Sequence, residues 1–391
     1  METKNCQICG NNDWMPLPDP NKNQSVTTAS RVLREPLGKS QCNHCGFVQR
    51  TRIEFLGLTD YYEQDYATYY DRPGTDLFHK KRYAAIIDWM TSYLDPKSKF
   101  PKQIDIGCGQ GWAMERMREI YPDAVLEGVE PSHYNVRVAV EKGFTIHEGK
   151  IEEANLQAGS YDLVFSNNVI QHVNDARDFL QQLKKLVSED GVIAITCPDG
   201  SRPNIEILWG DQNFSFLPEN LIGLAKQIGF NTVFWACSGD SPSLPPAQLL
   251  ILTNNKLYDQ LSFNPQDAHV DLTDIYRKRH EYLSSFEHIS KHLLANIPEG
   301  SRVINFGASY WTSVLAAYCP EYWDKVAFCL VDTDAGNSMF MGKQVLEMQA
   351  VTPDNTDTIV IGTGPGWQQQ LKDKLSDTWH NVVLWDDLLR Y

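Results

Sequence analysis

A chain of 391 residues with 42% hydrophobic and 22% charged content is long enough for two or three domains and apolar enough to bury a core, which excludes a wholly disordered protein. Its 35 Lys and Arg against 50 Asp and Glu leave a net charge of −15, which argues against nucleic-acid binding, because phosphate contacts need clustered positive charge. No run of about 18 apolar residues is present and the first residues lack the apolar stretch of a secretory signal, so no membrane span and a cytoplasmic protein are expected.

Residues 1–70 are rich in turn formers and hold four of the nine cysteines, as Cys6-x-x-Cys9-Gly10 and Cys42-x-x-Cys45-Gly46. Each pair sets two thiolates on a tight turn, and the following glycine permits the positive φ that such a turn needs. Four thiolates close a tetrahedral zinc site and leave no position for substrate. The metal is then structural, folding a block too small to bury enough core by itself. Cys6, Cys9, Cys42 and Cys45 are the expected ligands, with His44 inside the second pair as an alternative. Two unrelated reduced pairs is the rival reading. Cys108, Cys197, Cys237, Cys319 and Cys329 are scattered singly among apolar residues, which is not a disulfide framework.

Residues 71–255 alternate strand-like and helix-like segments. Strands are expected at 103–106, 125–130, 161–166 and 191–196, and helices at 112–120, 176–186 and 218–228, the last stopped by Gly229. Residues 256–391 open with a helix at 272–296. Strands follow at 302–306, 326–331, 357–361 and 381–384. Alternation of this kind implies a mainly parallel, doubly wound sheet in each block. The basic run Arg277-Lys278-Arg279-His280 lies among helix formers and reads as a solvent face.

The first middle-block strand runs into a glycine loop, Ile104-Asp105-Ile106-Gly107-Cys108-Gly109-Gln110-Gly111. Glycines there let the backbone approach a ligand at the strand's carboxyl end. The stretch resembles the first motif of Rossmann-like S-adenosylmethionine (SAM) methyltransferases. A dinucleotide fingerprint would space its third glycine by two residues, and here one intervenes. The resemblance implies that Gly107, Gly109 and Gly111 form the cofactor loop. It implies that Asp105 orients the methionine end and that Glu130, ending the second strand, binds the ribose hydroxyls. Ile151 in Gly149-Lys150-Ile151-Glu152 would flank adenine. Ser166, ending the fourth-strand stretch Tyr161 to Ser166, would also bind the cofactor, and Asn168, in the loop Asn167 to Val173, would lie near the sulfonium.

The layout as a whole resembles one subgroup, the sugar C-methyltransferases that act on nucleotide-linked 4-keto-6-deoxy sugars. Cys42-Asn43-His44-Cys45-Gly46-Phe47-Val48-Gln49, the tyrosine-rich Tyr62-Glu63-Gln64-Asp65-Tyr66, and Phe306-Gly307-Ala308-Ser309 with Val331-Asp332 carry the likeness. It implies an α/β fold in three domains. A zinc-binding domain (1–70) precedes a Rossmann-like SAM methyltransferase domain (71–255), and a C-terminal Rossmann-like substrate domain (256–391) follows. The implied cofactors are SAM and Zn, and the implied partner is a small-molecule acceptor such as a nucleotide-sugar, methylated at carbon or oxygen. The subgroup's Glu-His pair is absent: Trp209-Gly210-Asp211-Gln212 stands there, and Ser238-Gly239-Asp240-Ser241 stands for its H-G-G-S.

A carbon or hydroxyl nucleophile needs a proton removed. His172 is the first candidate base, because imidazole is available near neutral pH. Asp211 is the second, and Tyr66 and Tyr69 are candidates to lie over the acceptor. In the last block, Asp332, Gly362-Thr363-Gly364-Pro365-Gly366 and Trp367 suit the nucleotide part of a substrate. Two other uses of the scaffold stay open, a different small-molecule reaction and a non-catalytic partner that retains cofactor binding. Nothing in the pattern sets an oligomeric state.

Overall fold

The computed structural model describes residues 5–50, 61–66, 75–95, 98–239, 246–333, 335–336 and 338–390. Tyr69, Asp240 and Ser241 lie outside them. No helix among the described residues is long and apolar enough to cross a membrane.

The middle of the chain builds a seven-stranded sheet. Its order is Thr232–Cys237, Ala247–Thr253, Val187–Pro198, Tyr161–Asn167, Lys102–Ile106, Val125–Glu130, Thr145–Glu148. All strands run parallel except Ala247–Thr253, which is antiparallel to both neighbours. Leu249 to Leu252 are fully buried, so this strand reads as a continuous apolar run rather than an alternating one. The chain winds outward from Lys102–Ile106 in one direction, then crosses to Tyr161–Asn167 on the other side. That reversal is where an open α/β sheet leaves a crevice beyond its carboxyl ends. The helix Ala176–Leu186 covers the sheet with Phe179, Leu180, Leu183 and Leu186, a helical-period stripe. Asp175 starts it, its Oδ1 accepting from the Arg177 and Asp178 amides at 2.9 Å.

The last block repeats the plan in a six-stranded sheet, ordered Met339–Phe340, Lys343–Glu347, Val326–Val331, Arg302–Phe306, Asp357–Ile361, Asn381–Val383. It is parallel but for its first strand. The first block makes a four-stranded sheet from Trp14–Pro16, Lys39–Cys42 and Val48–Arg50, and its fourth strand is Phe214–Ser215, lent by the middle of the chain.

Cores cross these blocks. Leu17, Val26, Leu37 and Val48 pack in one cluster with Phe286, Ile289, Tyr318 and Trp385. Cys6, Cys42 and Phe47 pack with Ile104, Leu180 and Leu250. The helix Leu272–Ala295 ties them, and here the expectation of a solvent-facing basic run needs correction. Arg277 and Lys278 do face solvent, each paired with Asp274, but Arg279 is fully buried. Its guanidinium donates to Gln41 Oε1, Gly46 O and Gly200 O, each at 2.7 Å. Fixed, forked donors of this kind suit several acceptors at once.

Lys39 is the other buried cation, donating from Nζ to Ile207 O at 2.9 Å. Burial, helped by the nearby Arg50 charge, pushes its ammonium from 10.5 down to about 7. The unfolded chain then holds more protons between pH 7 and about 10.4, so folding stability rises with pH across that window. Against a Lys39→Met variant, the wild type gains up to ~1.4 kcal/mol per pH unit there. Paired urea melts at several pH values measure it, and a constant difference between the two proteins would contradict the burial argument.

Candidate active site

The crevice at the sheet reversal is a cleft of about 270 Å³. Strand ends supply its floor: Ile106, Gly107 and Gly109 after the first strand, Val129 and Glu130 at the end of the second, Asn167 and Asn168 after the fourth. Ile151 and Glu152 close one side, and Tyr62, Tyr66, Tyr83, Trp112 and His172 close another.

The glycine loop is shaped by contact as well as by φ. Gly107 has φ 77°, and a Cβ there would sit 2.4 Å from a Val169 methyl. Gly109 has φ 54° and gives its N–H to Glu130 Oε2 at 2.9 Å. Glu130 Oε1 accepts from the Ser132 amide at 3.1 Å and from Asn135 Nδ2 at 3.2 Å. This carboxylate therefore braces the loop while lining the cleft. Burial raises its pKa, and the three donors oppose the rise. Asp105 lies beneath the floor, 1% exposed, with Oδ1 lacking a hydrogen-bond partner. Burial and then the Glu130 charge raise its carboxyl well above the usual range. Asn167 Nδ2 is also buried without a partner. An open donor at the floor, the Asn167 amide, is what a bound carboxylate would satisfy.

His172 carries the opposite wall. Its Nδ1 is 2.8 Å from the Tyr62 hydroxyl and 3.0 Å from the Asp211 carbonyl, and that hydroxyl is 3.3 Å from the same carbonyl. A carbonyl accepts only, so an unprotonated Nδ1, even accepting from the Tyr62 hydroxyl, would face the carbonyl lone pair at 3.0 Å. The network assigns the proton to Nδ1, with Tyr62 donating onward to the carbonyl. Nε2 keeps its lone pair and is the basic atom of the ring. Tyr62 and Tyr66 sit 5.3 Å apart by ring centroid, and Tyr83 stacks on Trp112 at 5.9 Å.

Of the residues expected from sequence, Gly107, Gly109, Glu130, Ile151, Asn168, Tyr66 and His172 meet in this cleft. Four do not reach it. Ser166 is fully buried and donates to Ile106 O at 2.8 Å, tying two strands together. Gly111 is the N-cap of the helix Trp112–Ile120 and packs against Phe144. Asp105 is below the surface. Asp211 is fully buried, and its carboxylate takes Thr28 N at 2.9 Å, Thr28 Oγ1 at 2.5 Å and Tyr61 OH at 3.2 Å. It anchors the 25–31 loop, and its backbone carbonyl, not its side chain, serves His172. Gln212 binds the Glu206 carboxylate. Sequence reasoning missed Tyr62, Tyr83, Trp112 and Asn167. Trp112 directly follows the glycine loop, and Tyr62 opens the tyrosine-rich stretch 62–66.

A second cluster gathers the four N-terminal thiols. Cys6, Cys9, Cys42 and Cys45 Sγ atoms all lie within 4.8 Å of one another, and the Cys6–Cys45 and Cys9–Cys42 pairs are each 3.6 Å apart. A tetrahedron with metal–sulfur bonds of about 2.3 Å has edges of about 3.8 Å, so the donor set fits. Both turns close alike: Gly10 N to Cys6 O and Gly46 N to Cys42 O, at 2.9 Å, with φ 75° and 68°. His44 is exposed and outside the cluster. In the last block, Asp332 pairs with Lys374 at 3.1 Å, Trp367 is 65% exposed, and Thr363 Oγ1 is buried without a partner.

Residues 78–233 match a family model described as a methyltransferase domain. A trans-aconitate 2-methyltransferase of Rhodopseudomonas palustris is 34% identical over 102 residues, 25% of this chain and 39% of that protein. The mitochondrial ubiquinone biosynthesis O-methyltransferase of Schizosaccharomyces pombe is 25% identical over 186 residues, 45% of this chain and 64% of its own. A solved SAM-dependent methyltransferase from Archaeoglobus fulgidus aligns over 46% of this chain and 99% of its own, at 18% identity and a TM-score of 0.38. The chain thus spans less than two thirds of these curated relatives.

Proposed function

We propose that the SAM-dependent methyltransferase domain of residues 78–233 methylates a small-molecule acceptor, a nucleotide-linked sugar, within a cytoplasmic three-domain enzyme divided near residues 70 and 255. The bound donor supplies an electrophilic methyl group on a cationic sulfur. Gly107, Gly109, Glu130, Ile151 and Asn168 would hold it, and the open Nδ2 of Asn167 would donate to its amino-acid end, above the buried Asp105. Tyr66 lies over the acceptor. His172 Nε2 takes the acceptor's proton, while Tyr62 and the Asp211 carbonyl fix the ring. Much of the acceleration comes from holding nucleophile and methyl group in line.

The observation that carries this reading is one cleft holding both the glycine loop with Glu130 and a histidine whose Nδ1 is occupied. Small acceptors are supported by the relatives' names, trans-aconitate and malonyl-[acyl-carrier protein] among them. The nucleotide-sugar rests on the sequence resemblance. The nucleotide part would lie at the last block's Gly362–Gly366 loop, beside the open Thr363 hydroxyl and the exposed Trp367 ring. Cys6, Cys9, Cys42 and Cys45 would hold a structural zinc.

Calorimetry with SAM, followed by mass spectrometry of sugar nucleotides incubated with enzyme and donor, tests the reading. Donor binding and a product one methyl heavier are expected. In Glu130→Gln the donor's Kd rises about ten- to a hundredfold, the range for losing a charged hydrogen bond. A wild type that does not bind SAM would sink the proposal.

A further inference from the structure

We infer that Gln7, inside the Cys6–Cys9 turn, is a positioning residue for His172. The inference rests on reading His172 as the base.

The wall segment from Asn168 to Asp175 has few bonds of its own. It starts with a left-handed residue, Asn168 at φ 57°, makes one turn from His172 N to Val169 O at 2.8 Å, and ends at the Asp175 cap. Each of its three carbonyls after that turn is taken by a side-chain amide. Asn213 Nδ2 donates to His172 O at 3.1 Å and Val173 O at 3.2 Å. Gln7 Nε2 donates to Asn174 O at 2.7 Å, and Gln7 Oε1 accepts from Ala176 N at 3.3 Å.

Both amides are mounted on the four-cysteine sheet. Gln7 lies between two of the clustered thiols. Asn213 precedes the lent strand Phe214–Ser215, and its own carbonyl accepts from Arg50 N at 3.2 Å. Phe214 N of that strand also donates to Gln171 O at 3.1 Å, so the His172 segment is gripped at four consecutive carbonyls. A displacement of about 1 Å at a reacting group is enough to cost a large factor in rate, so this grip sets where Nε2 stands.

Two variants test it in the metal-loaded, full-length protein. Gln7→Ala removes both contacts. Gln7→Glu keeps the size and the acceptor for Ala176 N, but replaces the donor to Asn174 O with a carboxylate oxygen, and so retains the fold if alanine does not. The readouts are the ¹⁵N resonances of the His172 ring, assigned by difference from His172→Ala, and kcat and KM taken separately. In both variants the ring moves from a single Nδ1–H tautomer toward an averaged mixture. kcat falls about tenfold and donor KM changes less than about twofold, with bound metal per chain unchanged. Ring resonances that stay at their wild-type positions overturn the inference, whatever the rate does. The spectral readout needs no turnover, so it still decides the matter if His172→Ala is fully active and the base assignment fails.

Discussion

His172→Ala turns over about 10²- to 10⁴-fold more slowly than the wild type while SAM binds within a few-fold of its normal affinity. That range is what a positioned general base contributes. The separation of the two effects follows from the site. On the proposed reading the donor lies on the floor, at the glycine loop and Glu130, and Glu130's partners are Gly109, Ser132 and Asn135. His172 touches Tyr62 and the Asp211 carbonyl instead. Tyr62→Phe gives a smaller loss, because the carbonyl still accepts from Nδ1. Rates come from single-turnover methyl transfer and affinities from calorimetry. A fully active His172→Ala enzyme would remove the histidine from the chemistry and leave donor binding standing.

Stripping the metal, or replacing Cys42 by serine, is expected to destabilise the whole protein by several kcal/mol, seen as a thermal midpoint lower by about ten degrees or more. The effect is not confined to the first block. Cys6 and Cys42 are buried in the same core as Ile104, Leu180 and Leu250 of the central sheet. Asn220 of the helix Pro218–Ile228 also donates to Cys45 O at 2.8 Å. Metal analysis should find one zinc per chain, and calorimetry should record the fall on chelation. A folded, metal-free preparation that melts with the untreated protein would refute the structural-zinc assignment.

Parts of this site are legible in sequence because they are local. The glycine loop and each cysteine pair lie within a few residues, and the acid marks the end of the very next strand. The strands Arg302–Phe306, Val326–Val331 and Asp357–Ile361 read directly, because apolar, β-branched-rich runs stop at glycine or aspartate. Ala247–Thr253 does not: a leucine-rich run without alternation fits a buried helix as well as a buried strand. Ser166 fails for a reason of parity. Successive side chains in a strand point to opposite faces, and Tyr161–Asn167 runs one residue further than its pattern suggests, so Asn167 reaches the cleft. Asp211 fails because its carboxylate answers to Thr28, and nothing nearby in sequence predicts that. The grips of Gln7 and Tyr62 on the His172 segment are equally long-range.

The buried Arg279 bears on how such a chain is inherited. One guanidinium on the C-terminal helix reads an amide and a carbonyl from the cysteine sheet and a carbonyl from the central region, and the cysteine sheet borrows a strand from that same region. A block transplanted from a related gene would arrive without the partners its neighbours expect. A chimaera joined at these seams is therefore expected to be less stable than a chain in which the three blocks are exchanged together.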